Sequence, residues 1–327
     1  MLMPNFAYVR VKSLNEAIRH LSSTGARIHA GGTDLLGCLR DDIFDAKKIV
    51  SLSQLNELRG IRMTKEGVLR IGALTTIAEV ANSKMIQESF PALAKAASEV
   101  ASPQLRNQGT IGGNICQKPR CWYYRGEFHC LRKGGDRCYA YNGENQYHCI
   151  FGSGSICYIV HPSDIAPALA VYEATVSVIG LKGGRKISIG KFHVLPSEDA
   201  QKETVLKPNE IVTEILLPPA VQGLRGSYRK VRTRRSWDFA LAGVALALQF
   251  KGDRVQKARV VLSGAAPIPW RSKEVEEALT GKRLDADTMA QAAEAAVKNA
   301  EPLEQNSYKV PLFRSIVEEE LLAISKV

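Results

Sequence analysis

Arg27-Ile28-His29-Ala30-Gly31-Gly32-Thr33-Asp34 carries a short strand pattern straight into two glycines, a threonine and an aspartate. Glycine lets a backbone approach a neighbour or ligand closely, and a threonine hydroxyl adds a donor, so the stretch suits a phosphate group. Similar chemistry recurs at Thr110-Ile111-Gly112-Gly113-Asn114. Taken singly, either stretch reads more readily as a tight strand-to-helix turn. Neither has the G-x-G-x-x-G or G-x-x-x-x-G-K-S/T spacing, so Rossmann and P-loop nucleotide binding lose support. Gly152-Ser153-Gly154 lacks a third glycine and sits among cysteines.

Outward from the first stretch, the pattern alternates helix and strand. Ser13 and Glu16 have capping-box spacing, and Leu14, Ala17, Ile18 and Leu21 then share one helical face. Lys48 to Leu52 is a strand candidate, and a boundary falls near Leu58. A second unit opens with a hairpin pattern at Ile61–Ile71, turning at Glu66-Gly67, followed by helical segments at Thr76–Asn82 and Ala92–Ala101. After the second glycine stretch, order dissolves for about forty residues. A loop this long inside a domain is usually functional. The pattern resumes at Ile159–Ala174, with a hairpin at Thr175–Ile189 turning at Gly183-Gly184 and a strand at Ile211–Leu217. From Gly226 it becomes three strands, then helices starting at Lys273, Ala286 and Tyr308. The expected organisation is α+β: two α/β subdomains over residues 1–58 and 59–221, then an α+β unit with a three-stranded sheet over 222–327.

The chain has 327 residues, 45% hydrophobic and 24% charged, enough for two or three globular units. Its formal charge of +11 is spread along the chain, and the densest group, Arg229 to Arg235, lacks the aromatic platforms of a single-strand binder. No nucleic-acid site is expected. The first thirty residues show no secretory pattern, and no apolar run approaches the ~20 residues that span a bilayer, so the expected location is the cytoplasm. No Ser-His-Asp, paired-carboxylate or H-E-x-x-H arrangement argues for hydrolysis.

Six of the seven cysteines lie between Cys116 and Cys157, inside the irregular stretch. Without an export signal, that clustering favours metal or cluster ligation over disulfides. Cys121, Cys130, Cys138 and Cys157 are separated by 8, 7 and 18 residues, with no C-x-x-C pair. On spacing alone a [4Fe–4S] cluster and a structural zinc, helped by His129 or His148, stand about even.

Six stretches together carry a resemblance: AGGTDLL (Ala30–Leu36), GALTTIAEV (Gly72–Val80), LRNQGTIGGNI (Leu105–Ile115), PSDIAPAL (Pro162–Leu169), YRKVRTRRSWDFA (Tyr228–Ala240) and LSGAAPIPWRS (Leu262–Ser272). In this order, the chain resembles the FAD-binding medium subunit of the xanthine dehydrogenase / molybdenum hydroxylase family over essentially its full length. That family implies a PCMH/VAO-type FAD-binding fold followed by a C-terminal domain like that of CO dehydrogenase flavoproteins. Residues 116–158 resemble an insertion in the flavoprotein subunits of 4-hydroxybenzoyl-CoA reductase and certain bacterial aldehyde oxidoreductases, which holds an extra [4Fe–4S] cluster.

The resemblance implies a role for each matching position. Ile28, His29, Ala30, Gly31, Gly32, Thr33 and Asp34 would wrap the FAD pyrophosphate. Thr110, Gly113 and Asn114 would line the cofactor's second side, Asp164 would accept from the ribose, and Lys230 would favour reduced flavin. Cys121, Cys130, Cys138 and Cys157 would ligate the cluster, leaving Cys116 and Cys149 outside it. Outside the motif, Asp164 reads as a helix N-terminal carboxylate and Lys230 as a solvated strand lysine. Implied partners are a large molybdenum-cofactor subunit, a small [2Fe–2S] subunit and an external electron carrier such as NAD or ferredoxin. Electrons could leave through FAD, or enter through the extra cluster as in an aromatic acyl-CoA reductase. A zinc-stabilised binding module is the alternative outside redox chemistry.

Overall fold

Ala7–Arg10 (β1), Ala26–His29 (β2) and Lys48–Ser51 (β3) form a parallel sheet in the order β1-β3-β2, in a computed structural model that describes residues 3–326. Parallel neighbours need crossovers. Here one is Leu14–Leu21 (α1), which buries Ala17, Ile18 and Leu21, and another contains Leu35–Arg40 (α2). The Ser13 hydroxyl accepts the Glu16 N–H at 3.2 Å, but the Glu16 carboxylate takes the N–H of Lys12 at 2.7 Å. The expected capping box at Ser13 is therefore only half formed. β1 escapes the sequence pattern because none of its four residues is fully buried.

The second sheet has five strands: Ile61–Met63 (β4), Leu69–Gly72 (β5), Thr175–Gly180 (β6), Gly183–Ser188 (β7) and Ile211–Leu217 (β8), ordered β4-β5-β8-β6-β7 and antiparallel throughout. Gly180 pairs with Gly183, so the β6–β7 hairpin turns at Leu181-Lys182, immediately before the expected Gly183-Gly184. Thr76 and Glu79 form a complete capping box at the head of Ile77–Asn82 (α3). Lys84–Ser89 (α4), Pro91–Glu99 (α5), Pro103–Gln108 (α6) and Ile111–Ile115 (α7) follow.

The third sheet holds Leu224–Val231 (β9), Ala242–Lys251 (β10), Arg254–Ser263 (β11) and Trp270–Arg271 (β12). It has four strands where three were expected, because two residues are too few for β12 to show a period. The apolar run of β10 serves two faces. Ala245 and Ala247 pack toward α5 and Ile165–Val171 (α9), and their small side chains admit a close approach. Val244, Leu246 and Leu248 face Lys273–Leu279 (α10), Ala286–Ala295 (α11) and Lys309–Ser325 (α12). A strand buried on both sides reads as continuous apolar sequence.

Residues 116–158 contain only Trp122–Arg125 (α8) and a 3-10 turn, Leu131–Lys133. The segment is nevertheless tied at both ends. Arg132 and Lys118 pair with Glu203. Asn306 donates to the carbonyls of His148 and Cys149 at 3.1 and 3.2 Å, and Asn145 accepts from the Gln305 N–H at 3.0 Å. These polar ties order the segment without a ligand.

Candidate cofactor cleft and cysteine void

The two glycine loops meet. A Cβ on Gly31 would fall 1.9 Å from the Gln108 carbonyl oxygen, so only glycine allows this contact. Gly32 has φ +74, a left-handed conformation that side chains resist. Gly112 rests on Ala73, where a Cβ would come within 2.9 Å of the Ala73 Cβ. Between the loops lies a cleft of about 580 Å³.

Its two walls differ chemically. Among the described residues, no main-chain acceptor takes the N–H of Gly31, Gly32, Thr33 or Asp34. In the second loop, Ile111 and Gly112 donate to Thr75 and Ala73 carbonyls, and Asn114 and Gly113 donate to the Thr110 carbonyl and hydroxyl. Both loops were expected to offer N–H groups to an anion; only the first has them free. The second contributes side chains. The Asn114 Oδ1 is itself held by the Ser163 hydroxyl at 2.5 Å.

Ile28, Ala30, Gly31, Gly32, Thr33, Asp34, Thr110, Gly113, Asn114 and Asp164 all line the cleft. His29 does not: it lies edge-on to Tyr8, with ring centroids 6.0 Å apart. Lys230 also lies off the cleft wall. Its side chain is 1% exposed, with Nζ 2.8 Å from Asp164 and 3.2 Å from the Glu99 carbonyl oxygen. Asp164 also accepts from the Tyr228 hydroxyl at 2.7 Å. Lys230 is therefore neither a solvated strand lysine nor a free charge. Burial pushes the Asp164 carboxyl up, only partly offset by Lys230 and Tyr228. Breaking a buried ion pair costs about 3–5 kcal/mol because the survivor is left uncompensated. Asp164→Ala should lower the thermal midpoint by several degrees and reduce cofactor occupancy with it; calorimetry of wild type and variant checks this.

Several cleft residues carry no motif. Lys118, Arg120 and Arg125 come from the insertion, and Trp237 and Phe239 from the turn before β10. Arg120 stacks over the Phe239 ring at 5.1 Å. Burial pushes the Asp34 carboxyl up, but Arg120 and Arg125 outweigh it and hold the group below the usual carboxylate range.

A second, small void is lined by Cys121, Cys130, Cys138 and Cys157, with Tyr123, Tyr124 and Tyr139. Cys149 and Cys116 do not line it; burial pushes both thiols up to about 12. A hydrogen bond from Cys157 pulls the Cys138 thiol down to about 6, while holding that proton pushes Cys157 up. His148 Nε2 lies 3.2 Å from Cys121 Sγ. Among the described residues, no three His, Cys, Asp or Glu side chains converge as a single metal ion requires.

Behind Asn114, His161 and His193 are buried edge to face, ring centroids 4.2 Å apart. His193 Nε2 donates to the Ile115 carbonyl at 3.0 Å. Burial pulls His193 down to about 4, and burial beside His193 pulls His161 well below its usual value. Both are depressed in the folded state, so the unfolded chain binds protons first as pH falls. Stability should be full above the unfolded value of 6.5 and decline as pH drops toward 4. His193 alone accounts for about 3 kcal/mol at about 1.4 kcal/mol per unit. Thermal midpoints from pH 8 to 5 should fall below about pH 6.5, and fall less in His193→Gln, whose amide can still donate to Ile115.

An elongated cleft with free main-chain donors on one wall and basic side chains at its edge is a receptacle for a phosphate-bearing cofactor. Residues 4–220 match the FAD binding domain in molybdopterin dehydrogenase, and residues 227–323 match the CO dehydrogenase flavoprotein C-terminal domain. The chain belongs to the FAD-binding medium subunits of the xanthine dehydrogenase/CO dehydrogenase family, which are subunits of FAD-dependent oxidoreductases. It is 34% identical over 315 residues to the aldehyde oxidoreductase FAD-binding subunit PaoB of Escherichia coli, covering 95% of each chain. It is 29% identical to the carbon monoxide dehydrogenase medium chain of Hydrogenophaga pseudoflava, over 93% of this chain and 90% of that one. A solved structure of the Hydrogenophaga enzyme superposes with a TM-score of 0.79 at 28% identity, covering 99% of this chain and 98% of that one. Quinoline 2-oxidoreductase from Pseudomonas putida shares the fold, with a TM-score of 0.79 at 24% identity. No helix among the described residues is long and apolar enough to cross a membrane.

Proposed function

We propose that this chain is the electron-transfer flavoprotein subunit of a molybdenum-cofactor hydroxylase or dehydrogenase. It would work in the cytoplasm beside a large molybdenum-cofactor subunit and a small [2Fe–2S] subunit, exchanging electrons with an external carrier. Residues 1–58 and 59–221 would enclose FAD, and 222–327 would close the assembly. The observation that carries this reading is the set of free N–H groups at Gly31–Asp34, opening on a cleft edged by Lys118, Arg120 and Arg125. FAD supplies the exchange between two-electron and one-electron steps. The chain's residues hold and orient it: the first loop at the pyrophosphate, Thr110 and Asn114 across the cleft, and Asp164 through a carboxylate already shared with Lys230 and Tyr228.

Within this reading the subgroup with an extra [4Fe–4S] cluster is the better fit, and Cys121, Cys130, Cys138 and Cys157 would be its ligands. Their support is that all four line one void. FAD would be bound without a covalent link, because neither glycine loop holds a Cys or His except His29, which faces Tyr8. Acid denaturation of the purified complex should release all of its flavin to the supernatant. Flavin that stays with the polypeptide, or a preparation with no flavin absorbance, would contradict the proposal.

A further inference from the structure

Arg125 sits on the helical turn that joins the two candidate cofactor sites. It is the last residue of α8, whose N-cap is Cys121, and its N–H closes that turn on the Cys121 carbonyl at 2.9 Å. On this one turn Cys121 and Tyr124 line the thiol void and Arg125 lines the cleft. The guanidinium donates to Asp34 Oδ1 at 2.8 Å, to Cys38 Sγ at 2.9 Å and to the Pro119 carbonyl at 2.8 Å. Its side chain is 16% exposed, so solvent screens the pair little. Arg120 also pairs with Asp34 Oδ1, and the Lys118 N–H takes Oδ2 at 2.7 Å.

These contacts leave Asp34 in an unexpected position for a residue beside a diphosphate. Its carboxylate is a like charge in the loop whose N–H groups would receive phosphate oxygens, and it must be neutralised for that loop to accept an anion. All of its hydrogen bonds come from the insertion, none from the loop's own segment. Lysine could cancel the charge, but only a planar fork spans Asp34, Cys38 and Pro119 together.

We propose that Arg125 is a positioning residue, neutralising Asp34 so that the first glycine loop accepts the flavin diphosphate and fixing the thiol void relative to that loop. This rests on the reading of the cleft as the FAD site. Removing Arg125 leaves Asp34 matched by Arg120 alone and takes the net positive charge from beside the phosphates; removing Asp34 as well restores it, because Arg120 is then unpaired. The two substitutions therefore act in opposite directions, which a purely mechanical strut would not produce.

The test is FAD titration of the deflavinated complex, followed by flavin fluorescence, with iron content measured on each sample. Arg125→Met should weaken FAD binding about tenfold, roughly the value of one charge-assisted contact. Arg125→Lys should recover part of the loss, and Arg125→Met with Asp34→Asn most of it. Equal affinity in wild type and Arg125→Met would overturn the inference while leaving the cleft assignment intact. A double variant as weak as Arg125→Met, or weaker, would overturn it too. A wild-type complex that takes up no FAD would instead sink the cleft assignment itself.

Discussion

Gly31→Ala should leave a folded chain that has lost its flavin. The added methyl carbon would sit 1.9 Å from the Gln108 oxygen and 2.7 Å from its carbonyl carbon. Both are backbone atoms in the segment leading to the second glycine loop, so no rotamer change relieves the clash and the loops must part. A shift of about an ångström takes the Gly31 and Gly32 N–H groups out of hydrogen-bond reach of a phosphate oxygen. Two charge-assisted bonds of about 1.5 kcal/mol each correspond to roughly a hundredfold loss of affinity. Gly32→Val should reach a similar end by another route. Its φ of +74 strains any side chain, and the new Cβ would lie 2.8 Å from His29 Nε2. The ratio of flavin to protein absorbance after purification reads both variants. A Gly31→Ala protein with wild-type flavin content would mean that the phosphate sits elsewhere.

That expectation joins a feature legible in the sequence to one that was not. Glycine-rich loops announce close approach, but not what approaches. Both loops carry a Gly-Gly pair and a threonine, yet the second spends its N–H groups on Ala73, Thr75 and Thr110. Which donors stay free depends on the turn that follows β5, outside either loop. Charge partners were equally hidden. Asp34 is matched by Arg120 and Arg125, and Lys230 by Asp164, each pair separated by more than sixty residues. Nothing in local spacing chooses among 44 basic residues. Lys230 shows the consequence, since a charge expected at the flavin is already committed to a buried carboxylate.

Periodic elements were easier. The β10–β11 hairpin declares itself through an apolar run broken at Gly252-Asp253, and α10 to α12 through helical spacing. Strands of two or four residues with weak burial contrast, such as β12 and β1, carry too little pattern to be seen. The insertion had no period at all, and its clustered cysteines suggested metal or cluster ligation. Its actual ties are polar and long-range: Glu203 with Arg132, Asn145 with Gln305, and Asn306 with two carbonyls.

Those ties refine what the cysteine variants should do. On the proposed cluster, Cys130→Ser should remove its iron and leave that of the [2Fe–2S] subunit, as should Ser at Cys121, Cys138 or Cys157, because all four thiols line one void. A hydroxyl is a poor, hard ligand for a cluster that thiolates bind well. Cys149→Ser should leave the iron unchanged. That thiol is fully buried, packs with Ala140 and Tyr158 rather than facing the void, and is pushed up to about 12, far from a ready thiolate. The ion pairs at Asp34 and Glu203 do not involve the thiols, so these variants should keep the insertion attached. Limited proteolysis should then cut them little faster than wild type, and flavin should be retained better than in Gly31→Ala. Anaerobic iron and sulfide analysis of the five single variants decides the ligand set. A Cys130→Ser complex with the same iron content as wild type, or stoichiometric zinc in anaerobically purified wild type, would end the cluster assignment and leave the cysteine void as a zinc or thiol site beside the flavin cleft.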